Sequence, residues 1–108
     1  MPMGERNNIL VGTQLKIAVR ADLGDVHMSE VDFECRFYSN FKPECGVTVK
    51  KSGMAYVSSD EYLAVVDTKA VGAGEYLMNF TAQIPDPDVD GGLRTEKVCV
   101  PTGILVTL

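Results

Sequence analysis

The sequence predicts an all-β protein with the architecture of an immunoglobulin-like antiparallel β-sandwich of about seven strands. Residues 14–20 and 31–38 alternate apolar and polar side chains at every second position, which is the period of a half-buried strand. Further short apolar segments follow, with turn-forming residues every 8–12 positions, a spacing typical of sandwiches. The chain has no tryptophan, so the Cys–Trp–Cys signature of true immunoglobulin domains is missing. A small open barrel is the alternative architecture.

The strands follow one another through segments rich in Gly, Pro, Asp and Ser. Lys51-Ser52-Gly53 is predicted to be the tight turn of a hairpin, because polar residues precede a glycine. The segment 67–74 is predicted to be a loop with about one helical turn, and Pro101 is predicted to break the final apolar stretch in two. The predicted strands are 14–20, 31–38, 47–50, 54–57, 62–68, 75–84 (the longest), 95–100 and 104–108.

The length and charge of the chain limit what it can be. With 108 residues the sequence predicts one domain, 1–108, in which 1–8 form a flexible N-terminal segment. Fifteen acidic against ten basic residues argue against a nucleic-acid partner. No apolar run reaches the ~20 residues of a membrane span, and no signal peptide is visible. We therefore expect no membrane partner and a location in the cytoplasm or in a virion.

Residues suited to catalysis are few. Cys35, Cys45 and Cys99 are an odd number of cysteines without a CxxC pair, which predicts free thiols and no zinc site. His27 is the only histidine, and nothing in the sequence places it near Cys45 as a base near a nucleophile. The sequence therefore predicts a non-enzymatic protein without a cofactor.

The acidic loop that begins at Asp86 resembles the first half of a calcium-binding loop. Asp86, Asp88 and Asp90 precede Gly91 in a D-x-D-x-D-G pattern, but the twelfth position holds Lys97 where a bidentate glutamate is required. The segment is therefore predicted to be a hairpin turn, with calcium binding as the alternative.

Aromatic side chains are predicted to lie mainly in the core. Phe33, Phe37, Tyr76 and Phe80 fall on the apolar face of their strands, whereas Tyr38 falls on the polar face. A carbohydrate-binding sheet face needs several aromatics on its polar side, and only Tyr38 meets that requirement clearly.

Two segments carry a resemblance to a known family. Tyr62-Leu63-Ala64-Val65-Val66-Asp67-Thr68, followed by Gly74-Glu75-Tyr76, resembles a step in the N-terminal immunoglobulin-like domain of phage baseplate upper proteins and related prophage structural proteins. The resemblance implies a sandwich that builds a multimeric tail or baseplate, and it brings no catalytic residues.

These observations lead to two expectations about function. The first is a structural or assembly domain of a phage or prophage particle that associates with itself or with other structural proteins. Its contacts are expected at sheet edges and loops, above all at the terminal strand with Ile104, Val106 and Leu108, because an exposed apolar edge invites pairing. The second is a binding module that recognises carbohydrate or a protein through the loops 86–92 and 41–46.

Overall fold

The computed structural model describes residues 9–108, so the predicted flexible segment 1–8 lies outside the described residues. Within this range there are eight strands, a 3₁₀ turn at Met28–Glu30, another at Lys51–Gly53 and a short α-helix at Thr68–Val71. The strands are β1 (Ile9–Leu10), β2 (Gln14–Arg20), β3 (Asp32–Ser39), β4 (Val47–Lys50), β5 (Ala55–Ser58), β6 (Glu61–Asp67), β7 (Gly74–Pro85) and β8 (Leu93–Thr107).

The strands form two sheets of unequal size. The large sheet has the order β1-β8-β7-β3-β4, and the small sheet has the order β2-β6-β5. All strand pairs are antiparallel except β1 and β8, which run parallel. Apart from β1, which pairs in the large sheet, this division of strands between two sheets is that of the immunoglobulin fold. The predicted all-β, immunoglobulin-like sandwich is therefore confirmed.

The core lies between the sheets and follows the alternation in the sequence. Every second residue of β2 is buried, and the same holds for β3 and for most of β7. Phe33, Phe37, Tyr76 and Phe80 are at most 3 % exposed, as predicted from their positions. The Phe33 ring packs edge-on against Tyr62, with 5.1 Å between the ring centroids. Such aromatic pairs contribute about 0.5–1.5 kcal/mol beyond the area they bury.

Tyr76 ties the start of β7 to the preceding corner. Its hydroxyl donates a hydrogen bond to the carbonyl of Gly72, four residues upstream. This is the tyrosine corner found in immunoglobulin-like domains. Gly74 is needed beside it, because its φ is +129° and a Cβ there would lie 3.0 Å from Ser39 Oγ. The segment Gly74-Glu75-Tyr76, which carried part of the family resemblance, thus has a structural role.

The prediction of a hairpin at Lys51–Gly53 was wrong. β4 pairs with β3 in the large sheet and β5 pairs with β6 in the small one, so this turn carries the chain across the sandwich. Lys51 Nζ donates to the carbonyls of Ser29 and Val31, at 3.0 and 2.7 Å, and this fixes the crossing. The lysine joins two loops of the fold, a contact that sequence spacing does not reveal.

The predicted break at Pro101 was also wrong. β8 is one continuous strand of 15 residues and is the longest in the protein, where 75–84 had been predicted to be the longest. A bulge follows Pro101: Leu77 pairs with Pro101 and Glu75 pairs with Leu105, and Gly103 has a φ of +75°. The bulge absorbs the proline without ending the strand.

Candidate interaction site

The terminal segment predicted to mediate contacts is largely occupied within the domain. Val106 is 1 % exposed and pairs with Gly74 on one side and Ile9 on the other, so it belongs to the core and cannot contact a partner. Ile104 is half-buried against the core. Leu108 is 97 % exposed and lies beyond the strand. The expectation of a free edge at 104–108 was therefore wrong, because β1 pairs with Val106 and Thr107.

Unpaired strand edges occur elsewhere, on one flank of the sandwich. β2 is the first strand of the small sheet and has no strand on the side away from β6 among residues 9–108. β1 pairs only with Val106 and Thr107 of β8, so the outer edge of β8 before Val106 also has no partner strand in the described chain. The backbone groups along these edges are available for hydrogen bonds to another extended chain.

A groove lies between the two open edges, because the inner face of β8 extends past the small sheet. Its two cavities have volumes of about 260 and 210 Å³. Both are lined by β2 or the residues after it on one side and by β7 and β8 on the other, and they share Val100. Val98 is 44 % exposed although it lies on the same face as the buried Phe80. Among residues 9–108, this flank of the sandwich thus has no strand of the small sheet beyond β2.

The edge of β8 carries features that oppose pairing. Lys97 is exposed in mid-strand, Pro101 lacks an N–H, and the bulge at Gly103 distorts the edge. Charges, prolines and bulges are the features by which natural sheets discourage edge-to-edge contact. The edge of β2 is seven residues long and keeps one continuous register with β6, without proline or bulge, although Lys16 and Arg20 are exposed on it. Of the two edges, β2 therefore has the more regular backbone for an added strand.

The charges around the groove differ along its length. Arg20 Nε is 2.9 Å from Glu61 Oε1 and is therefore paired. Lys16 stands opposite Val65 on β6, and no ion pair of its ammonium is found within the described chain. At the far end, Glu96 pairs with Arg94, with 2.8 Å between Oε2 and Nη1.

The outer face of the small sheet carries a small apolar patch among charged residues. Leu63 faces Ala18 on one side and Ala55 on the other, and Val65 follows two residues later on the same face. Val65 is 56 % exposed. We call Ala18, Ala55, Leu63 and Val65 the small-sheet patch. It adjoins the open edge of β2, so the two form one surface.

The acidic loop is held as a turn. Asp86 Oδ1 accepts a hydrogen bond from the N–H of Asp88 at 2.9 Å, and Asp86 Oδ2 accepts one from Arg94 Nε at 3.2 Å. These bonds engage both carboxylate oxygens of the first predicted ligand. No group of three or more metal-binding side chains occurs within residues 9–108, and the same residues contain no helix able to cross a membrane.

The two loops proposed for a binding module lie at opposite ends of the domain. Asn40 bonds to Glu75 at the start of β7, whereas 86–92 follows the end of that strand. Eleven residue steps of extended chain separate these ends by about 35 Å. The two loops therefore cannot form one site. Phe41, in the first loop, is 77 % exposed.

The outer face of the large sheet holds a polar concavity of about 410 Å³. Tyr38 lies beside it, and its hydroxyl donates to Asn79 Oδ1 at 3.2 Å and lies 3.6 Å from Cys99 Sγ. The hydrogen bond with Cys99 raises the pKa of the Tyr38 phenol above its usual value. Arg36 stacks on the Tyr38 ring, with 5.2 Å to the centroid. Tyr38 is thus already engaged within the domain and provides no free aromatic platform.

The three cysteines are free thiols in different surroundings. Cys35 is buried, Cys45 is half-buried and Cys99 is exposed. Burial raises the pKa of Cys35 to about 12, and the negative charge of Glu34 adds to this effect. Cys35 is therefore a core side chain with little nucleophilic character.

His27 is paired on the surface with a residue distant in sequence. Its Nδ1 lies 2.9 Å from Asp60 Oδ2, and Asp60 Oδ1 accepts from the N–H of Met28. The hydrogen bond and the charge of Asp60 raise the pKa of His27, and the same hydrogen bond lowers the pKa of Asp60. The pair links the 3₁₀ turn at Met28–Glu30 to the turn between β5 and β6, a partnership that sequence separation hides.

Comparison with known proteins gives no further assignment: no protein-family model, no curated protein and no solved structure matches the chain.

Proposed function

We propose that this protein is a non-enzymatic structural domain that assembles with copies of itself or with other structural proteins, as expected for a phage or prophage tail or baseplate component. The observation that carries the proposal is the small sheet, whose outer face is apolar at the small-sheet patch and whose β2 edge has no neighbouring strand within the described residues. Exposed apolar surface next to an open strand edge favours association.

The chemistry of the described residues supports a role without catalysis. His27 is held by Asp60, Cys35 lies in the core, and Cys45 and Cys99 lie in other parts of the fold from His27. A nucleophile and a base must lie within hydrogen-bond distance, and His27 makes its close contact with a carboxylate instead. The polar concavity of about 410 Å³ on the outer face of the large sheet is open to solvent and does not enclose a substrate.

The absolute mass in solution tests this proposal. Light scattering behind a sizing column should give a defined oligomer, such as a trimer or hexamer, whose population rises with concentration. Val65→Lys should shift it toward the monomer, since Val65 is 56 % exposed and the added charge lies on the patch next to Lys16. Lys97→Glu, on the large sheet, is the matched control and should keep the oligomer. A chain that is monomeric at every concentration would overturn self-assembly.

A separate observation favours a binding loop as the second candidate function. Phe41 is 77 % exposed in the loop between β3 and β4, and a large exposed aromatic ring is a frequent contact residue in protein interfaces. Phe41→Ala should then weaken capture of a protein partner while leaving the mass of the isolated chain unchanged. Equal capture by Phe41→Ala and the unmodified chain would remove this candidate.

A further inference from the structure

We propose that the groove between β2 and β8 is a docking site for one extended segment of a partner protein, which adds to the small sheet as a fourth strand beside β2. This inference rests on the proposed function, because it names the site and the chemistry of one assembly contact. Its first support is the size difference between the sheets, five strands against three, together with Val98, which lies on the inner face of β8 and is 44 % exposed.

The shape of the groove admits a single strand. Its cavities of about 260 and 210 Å³ lie side by side along β2, one at Lys16–Ala18 and the other at Arg20–Leu23. Cavities of about 150 Å³ already accommodate a ring the size of benzene, so each has room for one aliphatic side chain. Their separation of about four residues, or roughly 13 Å, matches positions i and i+4 of a strand.

A second copy of this domain is not expected to pair its own β2 with β2 in this groove. The large sheet extends beneath the groove, where Val100 and Ile104 form the floor. A domain that paired β2 with β2 would bring its own large sheet into the same space. The groove therefore favours a segment that carries no sheet behind it, such as a linker or terminal tail of a structural partner.

The charge of the groove specifies the segment further. An antiparallel strand beside β2 places its inward side chains opposite Ala21, Val19 and Ile17 and an outward side chain opposite Lys16. The Lys16 ammonium has no acidic partner within the described chain, so an acidic residue at that position complements it. The expected segment has three apolar residues at every second position, followed directly by Asp or Glu.

The test uses a fluorescein-labelled peptide with the sequence Ser-Val-Thr-Val-Thr-Val-Glu-Ser and the whole chain. Fluorescence anisotropy should show saturable binding, and a peptide of the same composition in scrambled order should not bind. Val98→Lys should weaken binding more than tenfold, because it places a charge in the groove at a side chain that is 44 % exposed in the free protein.

A charge reversal checks the register. Lys16→Glu should weaken binding about two- to fivefold, and a peptide with Lys in place of Glu should recover that loss, because cross-strand pairs of opposite charge attract. Lys97→Glu, outside the groove, is the control and should bind like the unmodified protein. In amide NMR spectra of the protein, addition of the peptide should shift the signals of residues 14–20 and 98–104.

The outcomes separate the two proposals. Absence of saturable binding, or binding that Val98→Lys and Lys16→Glu both leave unchanged, overturns the groove as a docking site. The mass of the chain without peptide and its response to Val65→Lys decide the assembly proposal independently. Binding of the scrambled peptide at equal affinity would mean nonspecific apolar contact and would likewise overturn the inference.

Discussion

The hydroxyl of Tyr76 should contribute measurably to stability, although a phenylalanine would fill the same space. Tyr76 is fully buried, and its hydroxyl donates to the Gly72 carbonyl at the corner before β7. Burial raises the pKa of this phenol to about 12, with a further effect from Asp67, as expected for a hydroxyl withdrawn from water. Tyr76→Phe removes the donor and keeps the ring, so the change isolates the hydrogen bond.

The magnitude follows from the carbonyl that loses its partner. A hydrogen bond contributes about 0.5–1.5 kcal/mol net. Because the bond to the half-buried Gly72 is only partly buried, Tyr76→Phe should lower the free energy of unfolding by about 0.5–1.5 kcal/mol. Urea unfolding followed by far-UV circular dichroism measures this loss of stability. The slope of the free energy of unfolding against urea concentration should be the same for both proteins.

Tyr38→Phe is the matched control for this experiment. The Tyr38 hydroxyl donates to Asn79 on the outer face of the large sheet, where water can replace it. Its loss should cost less than about 0.5 kcal/mol. Equal losses for Tyr76→Phe and Tyr38→Phe would refute the tyrosine corner as a stabilising contact.

Three further predictions follow from single side chains. A thiol reagent at pH 8 should modify Cys99 quickly and Cys35 only on unfolding, because Cys35 is buried and its pKa is raised to about 12. NMR titration should place the pKa of His27 above its ordinary value of 6.5, and Asp60→Asn should lower it. The stabilisation that His27 contributes is then present below pH 6.5 and is lost as the pH rises through its raised pKa. The stabilisation that Asp60 contributes is lost as the pH falls through its lowered pKa. Gly74→Ala should destabilise by about 1–3 kcal/mol in urea unfolding, because its φ is +129° and the added Cβ would lie 3.0 Å from a neighbouring oxygen.

Each of these predictions has a result that would contradict it. Equal labelling rates for Cys35 and Cys99 would mean that the core opens readily. An Asp60→Asn variant whose His27 titrates as before would show that the ion pair does not form in solution. Gly24→Ala is the control for Gly74→Ala, since Gly24 has a positive φ but nothing within 4 Å of an added Cβ. If both alanine variants lost the same stability, the crowding at Gly74 would have no effect.

The sequence predicted the fold class because local alternation and the final sheet faces agree. In β3, Phe33, Cys35 and Phe37 are apolar at every second position and buried in the structure, so the pattern alone is sufficient to identify the core face. The single helical turn at Thr68–Val71 was also predicted, since the segment 67–74 is too short for more. These features depend only on near neighbours along the chain.

Features that depend on distant residues were not predictable in this way. Whether Lys51–Gly53 closes a hairpin or crosses between sheets depends on Ser29 and Val31, which accept hydrogen bonds from Lys51. The terminal segment was expected to be an open edge, but β1 pairs with it from nearly 100 residues away and buries Val106. The groove beside β2 likewise arises from the difference in sheet size, which no local pattern encodes.

Amide hydrogen–deuterium exchange of the whole chain, compared between dilute and concentrated samples, tests the central claim most directly. Assembly of copies through the small-sheet patch predicts that protection rises with concentration at residues 55–58 and 61–67, while the loops 40–46 and 86–92 are unchanged. Protection that rises in those loops and leaves β5 and β6 unchanged would contradict the claim and assign the contact to the loops.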